Sequence, residues 1–267
     1  MLILRPGALG DTLLAVPALR ALRRAYSPVR LAAHASTARL LASLGEVDTA
    51  LSFDDPSLSW IFRDAPIPEI EPVVAWMDPA AAPALRHALL VAPSRPPDDD
   101  RHCTRYLLET LAPLGIELGW NDAPLNVEPL RSEEVLIHVG SGSPAKNWPP
   151  MRFAAVIRGL EAPVRLIVGE ADASAAAEVE AVLGGALPRL EHPPLEQLAS
   201  RLAGCRAYLG NDSGVSHLAG LCGARTVALF GPTSPAVWRP IGPDVHVLPF
   251  EASIAKVVSV LSSEMSS

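Results

Sequence analysis

The stretch Tyr208-Leu-Gly-Asn-Asp-Ser-Gly-Val-Ser-His-Leu-Ala-Gly-Leu-Cys-Gly-Ala-Arg-Thr-Val-Ala-Leu-Phe-Gly-Pro-Thr-Ser-Pro235 decides how the chain is read. Ala207 to Leu209 is a short apolar run that halts at Gly210-Asn211-Asp212. These are turn residues, because glycine tolerates positive φ and Asn and Asp side chains bond the nearby backbone. Asp212 or Ser213 can then cap a helix over about 214–222, which Gly223 brings to a stop. A β-branched apolar run from Arg225 to Phe230 follows and ends at Gly231-Pro232. Strand, turn, helix and strand in that order predict a βαβ unit with ligand-competent loops at its strand ends. The first-turn N–H groups lack intrahelical partners and sit at the positive end of the helix dipole, so the 210–215 loop suits an anion. Gly214 lets a ligand approach the backbone, and His217 lies one turn past Ser213 on the same side. The same spacing fits an ordinary capped helix with a surface histidine.

Working outward, the chain has 267 residues, 49% of them apolar and 19% charged, enough for one large or two modest domains with a real core. No apolar run approaches the roughly 20 residues needed to cross a bilayer. Met1-Leu-Ile-Leu-Arg-Pro-Gly7 reads as a strand entering a loop, not as a signal segment. The cysteines, Cys103, Cys205 and Cys222, match neither a metal-ligand spacing nor a disulfide framework. That predicts a reducing, cytoplasmic location and no metal centre. A net charge of -7 without a basic, aromatic-laced cluster argues against nucleic acid as a partner.

In order, Leu2 to Arg5 reads as a strand and Gly7 to Asp11 as a tight loop. Thr12 to Ala25 reads as an amphipathic helix that Pro17 must kink or divide. With only Gly7 and Gly10, the loop departs from the Gly-x-Gly-x-x-Gly fingerprint of dinucleotide binding. It does place a carboxylate, Asp11, at a strand-to-helix corner, where ligands bind in open α/β sheets and where an N-cap also belongs. Strands are expected at 29–33, 47–53, 73–77 and 88–92, and helices at 36–44, 80–86 and 104–114. Asp98-Asp-Asp100 reads as a solvated face or a cap. The aperiodic 117–132 stretch is the expected linker between domains 1–130 and 131–267. The βα rhythm then restarts: strands at 135–139, 164–168 and 245–248, and helices at 150–160, 172–183, 195–203 and 252–262.

The loop after the 135–139 strand carries its own chemistry. Gly140, Ser141, Gly142 and Ser143 expose backbone and hydroxyl donors, and Lys146 adds a mobile cation, a set that suits phosphate oxygens. The spacing is not that of a Walker loop, and Lys146 can equally be a solvated surface lysine. Trp148 reads as a packing anchor.

Three motifs now resemble glycosyltransferase family 9, the ADP-heptose heptosyltransferases of lipopolysaccharide assembly. They are Leu4-Arg-Pro-Gly-Ala-Leu-Gly-Asp-Thr-Leu-Leu-Ala-Val-Pro-Ala-Leu19, His138-Val-Gly-Ser-Gly-Ser-Pro-Ala-Lys-Asn-Trp-Pro149, and Asn211-Asp-Ser-Gly-Val-Ser-His-Leu-Ala219 with Leu229-Phe-Gly-Pro-Thr-Ser-Pro235. The resemblance implies an α/β glycosyltransferase B fold: two Rossmann-like domains facing across a cleft. The first would hold the acceptor and the second the nucleotide-sugar, and the final helix could pack back on the first. It also implies that Asp11 is the general base and that Ser141 and Lys146 hold the diphosphate. Asp212, Ser213, Gly214, Val215 and His217 would then line the nucleotide site. Gly7, Gly10, Gly142, Ser143, Asp172 and Asn211 complete the expected nucleotide-sugar set. Inverting transfer needs a base on one face of the anomeric carbon and stabilisation of the departing diphosphate on the other. Lys146 and a helix N-terminus can supply the second without a metal or other cofactor.

The resemblance has departures. The family's ribose-binding Glu has no match in Val168-Gly-Glu-Ala-Asp-Ala-Ser-Ala175, where Glu170 comes early and Asp172 or Ser174 stands nearer. The chain is short for the family, with the missing length expected in the acceptor domain. Family members acting on phosphorylated lipid A core use basic acceptor loops, whereas 54–78 holds Asp54, Asp55, Asp64, Glu69, Glu71 and Asp78 against Arg63. The expected acceptor is therefore a glycan or glycolipid hydroxyl other than that core, reached from the cytoplasm, where peripheral contact with the inner membrane face remains open. The rival readings are an epimerase-like nucleotide-sugar enzyme, for which Asp11 alone serves poorly, and a binding-only relative.

Overall fold

A computed structural model describes residues 1–63 and 72–263. The chain divides into two compact units, Met1–Asp122 and Ala123–Ser267.

The first unit is built on a five-stranded sheet in the order β3-β2-β1-β4-β5. Its strands are β1 (Leu2–Leu4), β2 (Arg30–Ala33), β3 (Thr49–Ser52), β4 (Val73–Trp76) and β5 (Leu90–Ala92). All pairings are parallel, with Ile3 opposite both Leu31 and Val74. β1 is apolar throughout and wholly buried, as a strand covered on both faces must be. The apolar face carried by Leu2, Leu4, Ala32, Val73 and Ala75 closes over Leu58, Ile61 and Leu85.

Pro17 divides the first helix as its chemistry requires. α1 (Leu9–Leu13) ends, and α2 (Val16–Tyr26) begins with the proline in its first turn, where a missing N–H is harmless. The hydroxyl of Thr104 donates to the carbonyl of Leu14 at the break, 2.8 Å away and buried. Thr104 lies on α4 (Cys103–Glu109). That helix is shorter than the expected 104–114, because Pro113 falls in a separate 3₁₀ turn that Gly115 closes at φ +68°. The expected 80–86 helix is two 3₁₀ turns, Pro79–Ala81 and Pro83–His87, each opened by its own proline. α3 (Ala35–Ser43) lies one residue earlier than expected.

The acidic stretch at 54–78 is partly a matter of capping. Asp55 accepts the N–H of Ser57, and Asp78 that of Ala80, each at 2.9 Å, opening 3₁₀ turns whose first residue is proline. Asp64, Glu69 and Glu71 lie outside the described residues.

The second unit carries a six-stranded parallel sheet in the order β11-β10-β9-β6-β7-β8. These are β6 (Val135–His138), β7 (Val164–Val168), β8 (Arg189–Glu191), β9 (Ala207–Asn211), β10 (Thr226–Phe230) and β11 (Val245–Pro249). Ile137 lies opposite Leu166 on one side and Leu209 on the other. α5 (Pro150–Gly159), α6 (Ala173–Leu183), α7 (Leu195–Gly204), α8 (Gly214–Leu221), α9 (Pro235–Trp238) and α10 (Ile254–Ser262) complete it. The final helix buries Val257, Val260 and Leu261 in the core that holds Ile137, Phe153 and Leu209. That face of the helix packs within the second unit.

Two elements escaped the sequence. β8 has one apolar residue, Leu190, between Arg189 and Glu191, and α9 spans a single turn. The expected linker also differs. Residues from Ala123 onward belong to the second unit, because Leu125 N–H donates to Leu221 O, Leu130 N–H to Ser200 O and Ser132 N–H to Gly204 O. Backbone bonding, not hydrophobic periodicity, holds this segment.

Replacing Thr104 by Val strips the buried Leu14 carbonyl of its partner, at about 1–3 kcal/mol. Urea unfolding is expected to show a lower midpoint for the first unit, and Thr104→Ser to restore it. An unchanged midpoint in Thr104→Val would mean that the bond contributes nothing.

Candidate functional site

In each sheet the strand order reverses once, between β1 and β4 and between β6 and β9. Crevices outside the carboxyl ends of such strands are where open α/β sheets bind ligands.

In the second unit the reversal is bridged by one side chain. Asn211, fully buried at the end of β9, donates from Nδ2 to Val139 O at 2.8 Å and to Gly140 O at 3.2 Å. Its Oδ1 accepts the N–H of Trp148 at 2.9 Å. Both ends of the 140–148 loop are thereby fixed to the neighbouring strand. Trp148 is the anchor expected of it: buried, edge-on to Phe153 at 5.2 Å, and donating from Nε1 to Phe250 O.

Within that loop the side chains do unequal work. The Ser141 hydroxyl has Ser143 O at 2.6 Å and Asn147 Oδ1 at 2.7 Å, so it shapes the loop from inside. Gly142 is exposed and Ser143 half-buried, with a 3₁₀ turn at Pro144–Lys146 after them. Lys146 is drawn over the end of β9, its Nζ 2.7 Å from Asp212 Oδ2. The same oxygen accepts the hydroxyl of Thr233 at 2.7 Å, from the turn after β10. Three loops therefore converge on Asp212, which is nearly buried, while Lys146 keeps 32% of its side chain exposed.

Ser213 is the N-cap of α8, but its side chain makes no cap bond. Asp212 does not cap either, because its carboxylate is taken by Lys146 and Thr233. Gly214 and Val215, half-buried, open the helix, and Gly223 ends it at φ +80°, as expected. His217 is buried, not a surface residue. Behind them Tyr208, whose phenol burial pushes up, bonds Ser216 Oγ at 3.0 Å.

The Asp172 carboxylate turns to His138 Nε2 at 2.9 Å and the N–H of Gly169 at 2.8 Å. Spacing along a chain does not give the direction of a side chain. A sequence signal existed in two glycines: a Cβ on Gly140 would stand 1.7 Å, and one on Gly169 2.8 Å, from the Asp172 oxygens.

Gly7, Gly10 and Asp11 belong to the first unit. Asp11 is the third residue of α1 and half-buried, with Oδ2 accepting the N–H of Ala8 at 3.0 Å. Gly7, at φ +149°, would bring a Cβ within 3.1 Å of the Asp11 side chain. Gly10 is buried within α1. Beneath the corner lies Arg5, 1% exposed and overlooked in the sequence, which clamps the Asp11 carbonyl through Nε at 3.2 Å and Nη2 at 2.9 Å. Burial pulls its guanidinium below the ordinary value, and Cys103, Asp11 and Tyr106 pull it back. Among the described residues, no three or more His, Cys, Asp or Glu converge to hold a metal ion, and no helix is long and apolar enough to cross a membrane.

The model of glycosyltransferase family 9 (heptosyltransferase) matches residues 109–263, more than half of the chain. The chain belongs to glycosyltransferase family 9. Among curated relatives, lipopolysaccharide heptosyltransferase 2 of Salmonella typhimurium is 32% identical over 130 residues, which is 45% of this chain and 37% of that protein. The chain thus matches well under half the length of that relative. Among solved structures, Escherichia coli ADP-heptose lipopolysaccharide heptosyltransferase II superposes with a TM-score of 0.73 at 21% identity, covering 97% of this chain and 96% of that one. The heptosyltransferase WaaC of E. coli, solved with ADP, gives 0.73 at 16% identity, covering 96% and 97%. These likenesses support the two-sheet glycosyltransferase B fold. The family match begins at Glu109, so the second unit carries nearly all of it.

Asn211→Leu removes the bridge and leaves the Val139 carbonyl and Trp148 N–H buried without a partner. Urea unfolding is expected to register a loss of about 2–4 kcal/mol from the second unit; a loss below about 1 kcal/mol would show that the loop is held by other contacts.

Proposed function

We propose that the chain transfers a sugar, a heptose from ADP-heptose foremost, to a hydroxyl of a cell-envelope glycan or glycolipid. In this reading transfer inverts the anomeric carbon, needs no metal, and takes place in the cytoplasm or at the inner membrane face. The observation that carries the proposal is the convergence of Lys146, Asp212 and Thr233 beside an α8 N-terminus that no side chain caps. The donor diphosphate would sit there, on the N–H groups opening α8 and on Lys146 swung from Asp212. Ser141, Gly142 and Ser143 would shape the facing loop, and Val215 and His217 the helix side.

Chemistry follows from where charge moves. Asp11 takes the proton of the acceptor hydroxyl as its oxygen bonds the anomeric carbon. The bond from that carbon to the diphosphate breaks, and its electron pair leaves with the nucleotide. Lys146 and the helix N-terminus lower the energy of that departing charge. Arg5 and the Ala8 N–H hold Asp11 in place. The acidic residues at 54–78 favour an acceptor that is not the phosphorylated lipid A core.

Calorimetry against ADP, UDP, GDP and their sugars tests the donor. ADP or ADP-heptose is expected to bind without magnesium, and Lys146→Ala to weaken binding about 10- to 100-fold, the worth of a charge-assisted bond. Selective binding of UDP or GDP would discard heptose, and failure of every nucleotide to bind would discard the transferase reading. Asp11→Ala is expected to lower transfer about 10²- to 10⁴-fold while ADP affinity stays unchanged. Full turnover in that variant would remove Asp11 as the base.

A further inference from the structure

His138 closes β6, Asp172 precedes α6 and Ser213 precedes α8, and all three are buried. His138 Nε2 lies 2.9 Å from Asp172 Oδ2, and Nδ1 lies 3.2 Å from Ser213 Oγ. Burial alone would raise the Asp172 carboxyl. The bond and charge of His138, the Gly169 N–H and nearby His192 outweigh it and hold the group below the ordinary carboxylate value. An ionised carboxylate only accepts, so the proton on this side of the ring belongs to Nε2. The other ring nitrogen, Nδ1, is left to pair with the Ser213 hydroxyl.

The consequence lies in what Ser213 does not do. An N-cap serine ordinarily turns its oxygen onto the N–H groups of its own first turn. Ser213 makes no such bond; its oxygen points to the ring, with Ser216 Oγ 3.5 Å away and Tyr208 behind. The trio has the composition of a hydrolytic triad, yet a hydroxyl locked in this network suits a held group, not an attacking one. The Asp172 end is equally built in, since a side chain at Gly140 or Gly169 would displace it.

We propose that His138, oriented by Asp172, is a positioning residue that keeps the Ser213 hydroxyl off the first turn of α8, so that its N–H groups stay open to the donor diphosphate. The proposal builds on the reading of α8 as the diphosphate site. Without the ring, Ser213 swings back and caps its own helix, competing with the ligand for the same donors.

The test is calorimetry of ADP binding to the whole chain, with thermal melts to verify folding. His138→Ala is expected to weaken ADP about three- to tenfold, the scale of one cap bond. His138→Gln, which keeps a polar group in the core but lacks a ring with nitrogens facing both partners, is expected to lose as much. Adding Ser213→Ala to either variant removes the competing cap and should recover most of the loss. A role confined to stability predicts the opposite: the second substitution leaves affinity as low or lowers it further, and that result overturns the proposal. Unchanged ADP affinity in both His138 variants also overturns it, while leaving the diphosphate site standing. Failure of the unmutated chain to bind any nucleoside diphosphate removes the site and the positioning role together.

Discussion

The second unit depends on the buried amide of Asn211. A doubly wound sheet leaves a gap where its strand order reverses, because the loops on either side run away from each other. Asn211 spans that gap with bonds to the backbone on both sides of the 140–148 loop. A fully buried amide with both ends satisfied fixes a geometry that apolar contact alone would leave loose. Lys146 and Asp212 meet because their backbones are already set by that residue, and the N-terminus of α8 faces the same place.

Much of this architecture was legible in the chain. Apolar runs punctuated by glycine and proline gave most strands and helices to within a few residues, and Pro17 announced the break between α1 and α2. What was hidden had physical reasons. β8 has too few apolar residues to signal an edge strand. The segment after Ala123 is held by its own backbone, which no side-chain pattern encodes. Asp55 and Asp78 each precede a proline, and that pairing marks a cap before it marks a charged surface.

The candidate site was readable as a set of residues, less so as a set of roles. Loop residues such as Ser141 and Asp172 look like ligand groups in sequence because small and acidic residues at strand ends often are. In the fold the Ser141 hydroxyl also bonds within its own loop and the Asp172 carboxylate bonds His138. Arg5 shows the converse. A charged residue at a strand end reads as exposed, yet it lies under the glycine corner because the Asp11 carbonyl gives its guanidinium a partner there.

The bond from Thr104 to Leu14 reaches across 90 positions of sequence. Long-range contacts of this kind form late, because a large loop must close before they give any return. A nascent chain that has reached only β5 can lay down strands and α2, but the break ahead of α2 still has an open carbonyl. The break between α1 and α2 therefore gains this buried partner only when α4 has been made and docked, which ties the start of α2 to a helix near the end of its unit.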